Sequence, residues 1–187
     1  MYGEKMNSLL NDLENKDVEI AGGSVVGIVL STVNSLIIYI SNLTINKKKY
    51  EDVQNIVQQI LFKAEKLKLE SLKSIDEDKR ILEKILEAYK TKTNYQEICK
   101  QATEFGIEVL KIAYNTYELT RQICNVGNRM LVSDFKICRY YSFASVQAAI
   151  ENIEINVKSI EDEAYKNYIR KKYNEILTKV KMEEAID

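Results

Sequence analysis

One aspartate lies where the sequence pattern predicts a buried helix face. In SIDEDKRILEKILEAYK the apolar stripe falls at Ile75, Leu82, Ile85 and Tyr89. Asp78 lies on the same stripe, at heptad spacing between Ile75 and Leu82. A carboxylate on a buried face costs free energy unless it is paired or functional. Asp78 is therefore a candidate for proton transfer, while a salt bridge or a ragged helix start would explain it equally well.

A second polar set lies in SDFKICRYYSFASVQAAIENIEINVKSI. Asn152 and Asn156 are four residues apart and share a helix face, which continues toward the N-terminus through small residues between positions 145 and 149. This pattern leaves room for a ligand or allows close helix packing. Asp134 follows Ser133 at the start of the predicted helix, where an acid commonly interacts with the helix dipole.

The stretch EIAGGSVVGIVLSTVNSLIIYISNLTINKKKY has no charged residue from Ile20 to Asn46. Its Gly22-Gly23-Ser24 opening is not a P-loop, because no Gly-Lys-Ser or Gly-Lys-Thr follows, and the glycine spacing is not that of a dinucleotide fingerprint. The simpler interpretation is a turn with Ser24 as the helix N-cap. The alternative is a polar or anionic ligand bound at the helix N-terminus.

The same stretch is long enough to cross a bilayer, and three lysines follow it. Polar residues that would be costly in lipid interrupt it, namely Ser31, Thr32, Asn34, Ser35, Ser41 and Asn42. A helix that is apolar nearly all round also suits the centre of a helical bundle. We therefore expect a buried central helix and no membrane partner.

The composition excludes several chemistries. The 187 residues include no His, which rules out His-based general bases, Ser–His and Cys–His nucleophiles and His-ligated metals. Lys and Arg number 27 and Asp and Glu 28, so the charge gives no reason to expect nucleic acid. Three cysteines without CxxC spacing and a charged N-terminus predict a reduced, cytoplasmic protein.

No Pro, no Trp and only six Gly predict an all-α protein, a mostly antiparallel bundle of about six helices in one domain spanning residues 1–187. The predicted helices run from about Glu4 to Glu14, Ser24 to Leu43, Lys49 to Tyr89 with a bend near Ser74, Tyr95 to Cys124, Ser133 to Lys158, and from a cap at Ser159–Asp162 to Lys181.

Four motifs in this order resemble the formiminotetrahydrofolate cyclodeaminase / methenyltetrahydrofolate cyclohydrolase family. AGGSVVGIVLSTVNSLIIYISNLTINKKKY is similar to its P-G-G-G-S…N-L-T-I-G-K-K-K-Y opening, and IDEDKRILEKILEAYK to its I-D-E-D-A-x-A-F…A-Y-K segment. GNRMLVSD is similar to G-N-x-x-x-x-S-D, and NIEINVKSIEDE to N-V-x-I-N-L-x-x-I-x-D-E. The resemblance covers about Asn7 to Lys181.

The resemblance implies an antiparallel α-bundle, a homodimer and a pocket for a tetrahydrofolate derivative, with no metal. Two activities occur in the family: hydrolysis of 5,10-methenyltetrahydrofolate to 10-formyltetrahydrofolate, and cyclisation of 5-formiminotetrahydrofolate with loss of ammonia. The absence of an attached formiminotransferase favours the first. The matching positions are Gly22, Gly23, Ser24, Asn42, Lys48, Tyr50, Asp78, Tyr89, Lys90, Gly127, Asn128, Ser133, Asp134, Asn152 and Asn156.

These positions imply roles for the residues already singled out. We expect Asp134 and Asp78 to carry the proton transfers, with Asp134 the stronger candidate. Asn152 and Asn156 would bind the pterin edge through their amides. The Gly22–Ser24 entrance and the lysines after Asn46 would bind polar parts of the folate, including its glutamate carboxylates.

The sequence also departs from the family pattern. Ile20-Ala21-Gly22-Gly23-Ser24 replaces Pro-Gly-Gly-Gly-Ser, and a Pro-containing insert after AYK is shortened to TKTN. Bulky or charged side chains replace small ones after Asp134, namely Lys136, Arg139, Tyr140 and Tyr141. A divergent or inactive relative that binds another small ligand is therefore the main alternative, and a helical membrane or scaffold protein is the third.

Overall fold

The computed structural model describes residues 2–15 and 20–186, which form long α-helices and two short 3₁₀ turns. The helices are α1 (Tyr2–Glu14), α2 (Gly22–Asn42), α3 (Gln54–Thr91), α4 (Tyr95–Val126), α5 (Val132–Lys158) and α6 (Glu163–Ile186). The prediction of an all-α bundle of about six helices is confirmed. Without proline, these long helices meet no residue that must interrupt them.

Helix α2 is the central helix, and it packs against α3, α4 and α5. Its inner face is fully buried at Leu30, Ile37 and Ile40. Each such side chain contributes about 1.5–3 kcal/mol of hydrophobic free energy. One polar pair joins this core, because the Asn34 amide donates to Thr116 Oγ1 on α4 at 2.9 Å. By length and composition α2 could cross a membrane, but half of its most apolar window lies inside the protein.

Short connections make neighbouring helices antiparallel. Helix α3 reverses into α4 within three residues, because Lys92 and Asn94 adopt left-handed φ angles of 56° and 54°. The α5–α6 connection is four residues long. Asp162 caps α6 there, since its Oδ1 accepts a hydrogen bond from the Tyr165 N–H at 3.0 Å. The predicted capping role of Ser159 is wrong, because Ser159 ends α5 instead.

The third predicted helix begins too early. A 3₁₀ turn occupies Lys48–Val53, and Tyr50 has non-helical φ and ψ of −117° and 23°. From Gln54 onward α3 is continuous through Ser74, where a bend was predicted. The Ser74 hydroxyl donates to the Ser71 carbonyl at 2.8 Å and so remains within the helix. The break therefore lies before α3, next to the NLTINKKKY motif.

Candidate active site

The first turn of α2 meets α3 at a buried serine. The Ser24 hydroxyl, which is fully buried, lies 2.9 Å from Asp78 Oδ2 and 3.3 Å from the Ile75 carbonyl, and it can donate to either. The predicted Gly-Gly-Ser turn with Ser24 as N-cap is therefore wrong. Gly22 already begins the helix, Ala21 precedes it as N-cap, and Ser24 lies inside the first turn, where it contacts the aspartate.

Gly23 permits three helices to meet at one point. A Cβ at Gly23 would lie 2.6 Å from Asp78 Cγ and would also overlap the Asn152 amide of α5. A Cβ at Gly22 would meet nothing within 4 Å. The two adjacent glycines therefore differ in their surroundings. Only at Gly23 does the close approach of Asp78 and Asn152 require a residue without a Cβ. We call Gly23, Ser24, Asp78 and Asn152 the Asp78 cluster.

The environment of Asp78 favours its protonated form. Burial raises the pKa of the Asp78 carboxyl above its ordinary value, and hydrogen bonds from the Ser24 side chain and backbone and from the Asn152 amide oppose that rise. The desolvation effect is the largest of these. A partly buried carboxyl with a raised pKa can accept a proton in one step and donate it in another.

Asn156 does not contact Asp78 as Asn152 does. Its amide Nδ2 donates to the backbone carbonyl of Asn152 at 3.1 Å, one helical turn away. Both residues are partly exposed on α5. The predicted pair therefore shares a helix face, but the structure gives the two amides different hydrogen-bond partners.

A second group of predicted residues lies where α2 ends and α5 begins. The Tyr50 hydroxyl donates to Asn128 Oδ1 at 3.2 Å and accepts from the Arg129 N–H at 3.0 Å. Asn128 donates through its N–H to Thr44 Oγ1 at 3.0 Å and through its amide to the Leu43 carbonyl at 3.2 Å. This network fixes the end of α2 against the turn that leads to Ser133 and Asp134. We call these hydrogen-bonded groups of Tyr50, Asn128, Arg129, Thr44 and Leu43 the Tyr50–Asn128 network.

Other residues at this end of α2 contribute to the turn or lie on the surface. Gly127 makes the turn compact, because a Cβ there would lie 2.7 Å from the Ile123 carbonyl. Asn42 and Lys48 are exposed beside the network. Thr44 was not among the predicted site residues, although it is buried and binds Asn128. Its position within the NLTI motif was the available signal.

The structure separates the two predicted aspartates. Asp134 precedes Asn152 on α5 by eighteen residues, which is five full turns, so both residues lie on one face of the helix about 27 Å apart. Asn152 is next to Asp78, whereas Asp134 is half-buried near the opposite end of α2. One chain therefore does not bring Asp134 and Asp78 into a single constellation.

Tyr89 and Lys90 form a third location, at the end of α3. Both are exposed, and the Tyr89 ring packs edge-on against Tyr95 with centroids 5.9 Å apart. They line a groove of about 900 Å³ that Lys92 and Asn94 also line. Tyr89 follows Asp78 by eleven residues on the same face of α3, about 16 Å along the helix.

The bulky residues after Asp134 do not fill the Asp78 cluster. Arg139 forms an ion pair with Glu184 of α6 at 2.9 Å. Lys136, Tyr140 and Tyr141 are exposed on α5. Among residues 2–15 and 20–186, no three acidic or thiol side chains are grouped so that they could hold a metal ion.

Comparison with known proteins decides the family. The model of the formiminotransferase-cyclodeaminase family matches residues 5–175, which is most of the chain. The chain belongs to the formiminotransferase-cyclodeaminase family. All of the residues in the Asp78 cluster and in the Tyr50–Asn128 network lie inside the matched range.

Similar proteins carry three names. A methenyltetrahydrofolate cyclohydrolase of Methylorubrum extorquens is 25% identical over 173 residues, covering 87% of this chain and 83% of that protein. A formimidoyltransferase-cyclodeaminase of Mus musculus is 22% identical over 178 residues. The match covers 88% of this chain but only 32% of the mouse protein. The crystal structure of formiminotetrahydrofolate cyclodeaminase from Thermotoga maritima matches with a TM-score of 0.88 and 24% identity, over 92% of this chain and 88% of that one.

Proposed function

We propose that this protein is an enzyme of folate one-carbon metabolism. It hydrolyses 5,10-methenyltetrahydrofolate to 10-formyltetrahydrofolate, cyclises 5-formiminotetrahydrofolate with loss of ammonia, or does both. The observation that carries the proposal is the Asp78 cluster, which lies within the family's matched region and holds a carboxyl with a raised pKa. The names of the similar proteins support the substrate class.

The hydrolysis needs one proton acceptor near a cationic carbon. The methenyl carbon lies between two nitrogens that share a positive charge, so the Asp78 carboxylate stabilises it electrostatically. Water attacks this carbon, and its proton passes to Asp78. The bond from that carbon to N5 then breaks as the new hydroxyl loses its proton to solvent and becomes the formyl carbonyl, N5 receives the proton from Asp78, and the formyl group stays on N10.

The cyclisation needs the same order of proton transfer, from the attacking group to a base and then to the departing nitrogen. N10 attacks the formimino carbon and loses its proton to a base, and the departing nitrogen must be protonated before it leaves as ammonia. The Asp78 carboxyl can perform both steps, because its raised pKa makes the protonated form accessible. Ser24 and Asn152 hold the carboxyl in place through their hydrogen bonds.

The remaining predicted residues are proposed to bind the folate. Asn152 and Asn156 lie on the same face of α5 and would contact the pterin edge. Lys48 and its neighbours would bind the carboxylates of the glutamate tail, since they are exposed cations. We also propose a cytoplasmic homodimer that binds neither nucleic acid nor a membrane, in line with the balanced charge.

The proposal is tested with the purified protein and both folates. We expect the near-UV absorbance of 5,10-methenyltetrahydrofolate to fall faster with the protein than in buffer, or ammonia to be released from 5-formiminotetrahydrofolate. A thermal shift with folates, but no turnover of either compound, would instead favour the divergent or inactive relative. The absence of both turnover and a thermal shift would contradict folate binding altogether.

A further inference from the structure

The Ser24 hydroxyl has two hydrogen-bond acceptors and no contact with solvent. Its side chain is fully buried, and its oxygen lies 2.9 Å from Asp78 Oδ2 and 3.3 Å from the Ile75 carbonyl oxygen. A hydroxyl has one proton to donate, so it can form only one of these bonds fully at a time. The Ile75 carbonyl lies inside the continuous helix α3, where its second lone pair remains available. A side chain sealed from solvent in this way acts on a reaction through its neighbours.

The close packing of α2 on α3 keeps this hydroxyl between its two acceptors. A Cβ at Gly27 would lie 2.8 Å from Ser74 Oγ and 2.9 Å from the Ser71 carbonyl oxygen. Gly23, one turn earlier, is restricted in the same way by the carboxyl described above. The two glycines therefore let the backbones of α2 and α3 approach each other on both sides of Ser24, so that its hydroxyl reaches a main-chain carbonyl of α3 as well as a side chain.

The start of α2 also favours the charged form of Asp78. Ala21, the N-cap residue, makes no side-chain capping hydrogen bond, so the first N–H groups of α2 need an acceptor from elsewhere. Burial is the largest influence on the pKa of Asp78 and raises it, whereas hydrogen bonds from the Ser24 side chain and from its backbone lower it. Asp78 therefore caps α2 from the neighbouring helix, where the positive end of the helix dipole stabilises a carboxylate.

We propose that Ser24 is a positioning residue whose hydroxyl changes acceptor with the protonation state of Asp78. While Asp78 is a carboxylate, the hydroxyl donates to Oδ2, because a hydrogen bond to an ionised oxygen is about twice as strong as one to a neutral oxygen. Once Asp78 has taken up a proton, the hydroxyl turns to the Ile75 carbonyl, so the buried O–H never lacks an acceptor. The carboxyl can then gain and lose a proton without movement of either helix.

This change of acceptor suits a group that acts first as a base and then as an acid. The Ser24 hydroxyl stabilises the carboxylate that awaits the proton of the attacking group. When Asp78 passes the same proton to the departing nitrogen, the hydroxyl returns to Oδ2 and stabilises the carboxylate that forms. Asp78 thus begins and ends the cycle in one state. The inference rests on the proposed function, since it assumes that Asp78 carries the proton.

The charged side chains on the helices around Asp78 are paired with one another or exposed. Helix α2 carries no charge, since the sequence has none from Ile20 to Asn46. The nearest charged groups of α3 and α5 are Glu77 with Arg80 at 2.8 Å, Lys79 with Glu83 at 3.8 Å, Glu154 with Arg170 at 3.1 Å, and the exposed Glu151. After burial, the groups that shift the pKa of Asp78 are Ser24 and Asn152. The protonation of Asp78 therefore responds to the Ser24 hydroxyl.

The pH dependence of turnover tests this role in Ser24→Ala, which loses the hydroxyl and keeps the N–H. We expect the acid limb of its kcat/KM profile to move to higher pH by on the order of one pH unit, because the carboxylate loses a hydrogen bond. Its kcat should fall about tenfold, with KM within about twofold of wild type. Ser71→Ala is the matched control, since Ser71 is equally buried and donates to the Leu67 carbonyl of its own helix at 2.7 Å. It should keep the wild-type limb.

Two kinetic results would overturn the proposal. A lower rate at every pH with an unmoved limb would show a merely structural role for Ser24. A raised KM with unchanged kcat would show that Ser24 contacts the substrate.

Direct titration of Asp78 tests the same hydrogen bond without turnover. In protein labelled with ¹³C at its aspartate carboxyls, the Asp78 signal is the one missing from Asp78→Asn. We expect its midpoint to rise in Ser24→Ala and to keep the wild-type value in Ser71→Ala. An unchanged or lower midpoint in Ser24→Ala would overturn the proposal. Wild-type protein that turns over neither folate would contradict the proposed function alone, because the titration would still decide whether Ser24 controls the protonation of Asp78.

Discussion

At the scale of single residues, Asp78 shows what the sequence can and cannot predict about a polar residue on an apolar helix stripe. The sequence flagged it because a buried carboxylate is costly, and the structure shows which groups offset that cost, the Ser24 hydroxyl and the Asn152 amide. Neither partner could be assigned from the sequence, because they lie 54 and 74 positions away. The role of Ser24 was missed for the same reason, since local pattern favoured a cap.

Replacing Asp78 should abolish turnover with little effect on folding. Asp78→Asn keeps the shape and loses the proton acceptor, so we expect kcat to fall by about 100-fold or more. Asp76→Asn is the matched control, because Asp76 is exposed on the same helix. Steady-state rates and melting temperatures of both variants give the answer. Activity within a few-fold of wild type in Asp78→Asn would exclude the aspartate from the chemistry.

Asp78 should also make the stability depend on pH. Its pKa is raised in the folded protein, so the folded state holds a proton that the unfolded state releases. The free energy of unfolding should therefore fall as pH rises from the ordinary aspartate pKa of about 4 through the raised value. Denaturant titrations of wild type and Asp78→Asn across this range should show the variant's relative stability increasing with pH. A constant difference would mean that the pKa of Asp78 is unshifted.

At the scale of elements, the sequence predicted the helices well and their beginnings poorly. Helix interiors are set by apolar periodicity and the absence of proline, which are local properties. The start of α2 was misplaced because Ala21 precedes it without a side-chain cap, so no cap signal exists. The start of α3 was misplaced because the 3₁₀ turn at Lys48–Val53 is held by the distant Asn128 through Tyr50.

The two glycines at the start of α2 provide a matched pair of variants. Gly23→Ala should push Asp78 and Asn152 away, because its Cβ has no space. Overpacking of this kind costs about 1–3 kcal/mol, and we expect a clear loss of melting temperature and at least a tenfold loss of kcat. Gly22→Ala has open space and should leave both nearly unchanged. Equal behaviour of the two variants would refute the close contact at Gly23.

At the scale of the whole molecule, the sequence indicated which motifs matter but not where they would meet. The order of motifs along the chain does not give the distance between them in space. Helices α2 and α5 run antiparallel, and the Asp78 cluster and the Tyr50–Asn128 network lie at opposite ends of α2. The uncharged run from Ile20 to Asn46 was predicted to be buried. In the structure about half of the most apolar window of α2 is buried, and the remaining positions of that window are exposed or half-exposed. Hydropathy along the sequence does not distinguish these positions from the core.

The most direct test of the central claim is the reaction of purified protein with 5,10-methenyltetrahydrofolate, followed by loss of its near-UV absorbance, with ammonia release from 5-formiminotetrahydrofolate measured alongside. The Asp78 cluster predicts that at least one of the two folates is turned over by the wild type and that Asp78→Asn fails to do so under identical conditions. Turnover of neither compound by a folded wild-type protein would contradict the proposed function. Undiminished turnover by Asp78→Asn would contradict its mechanism.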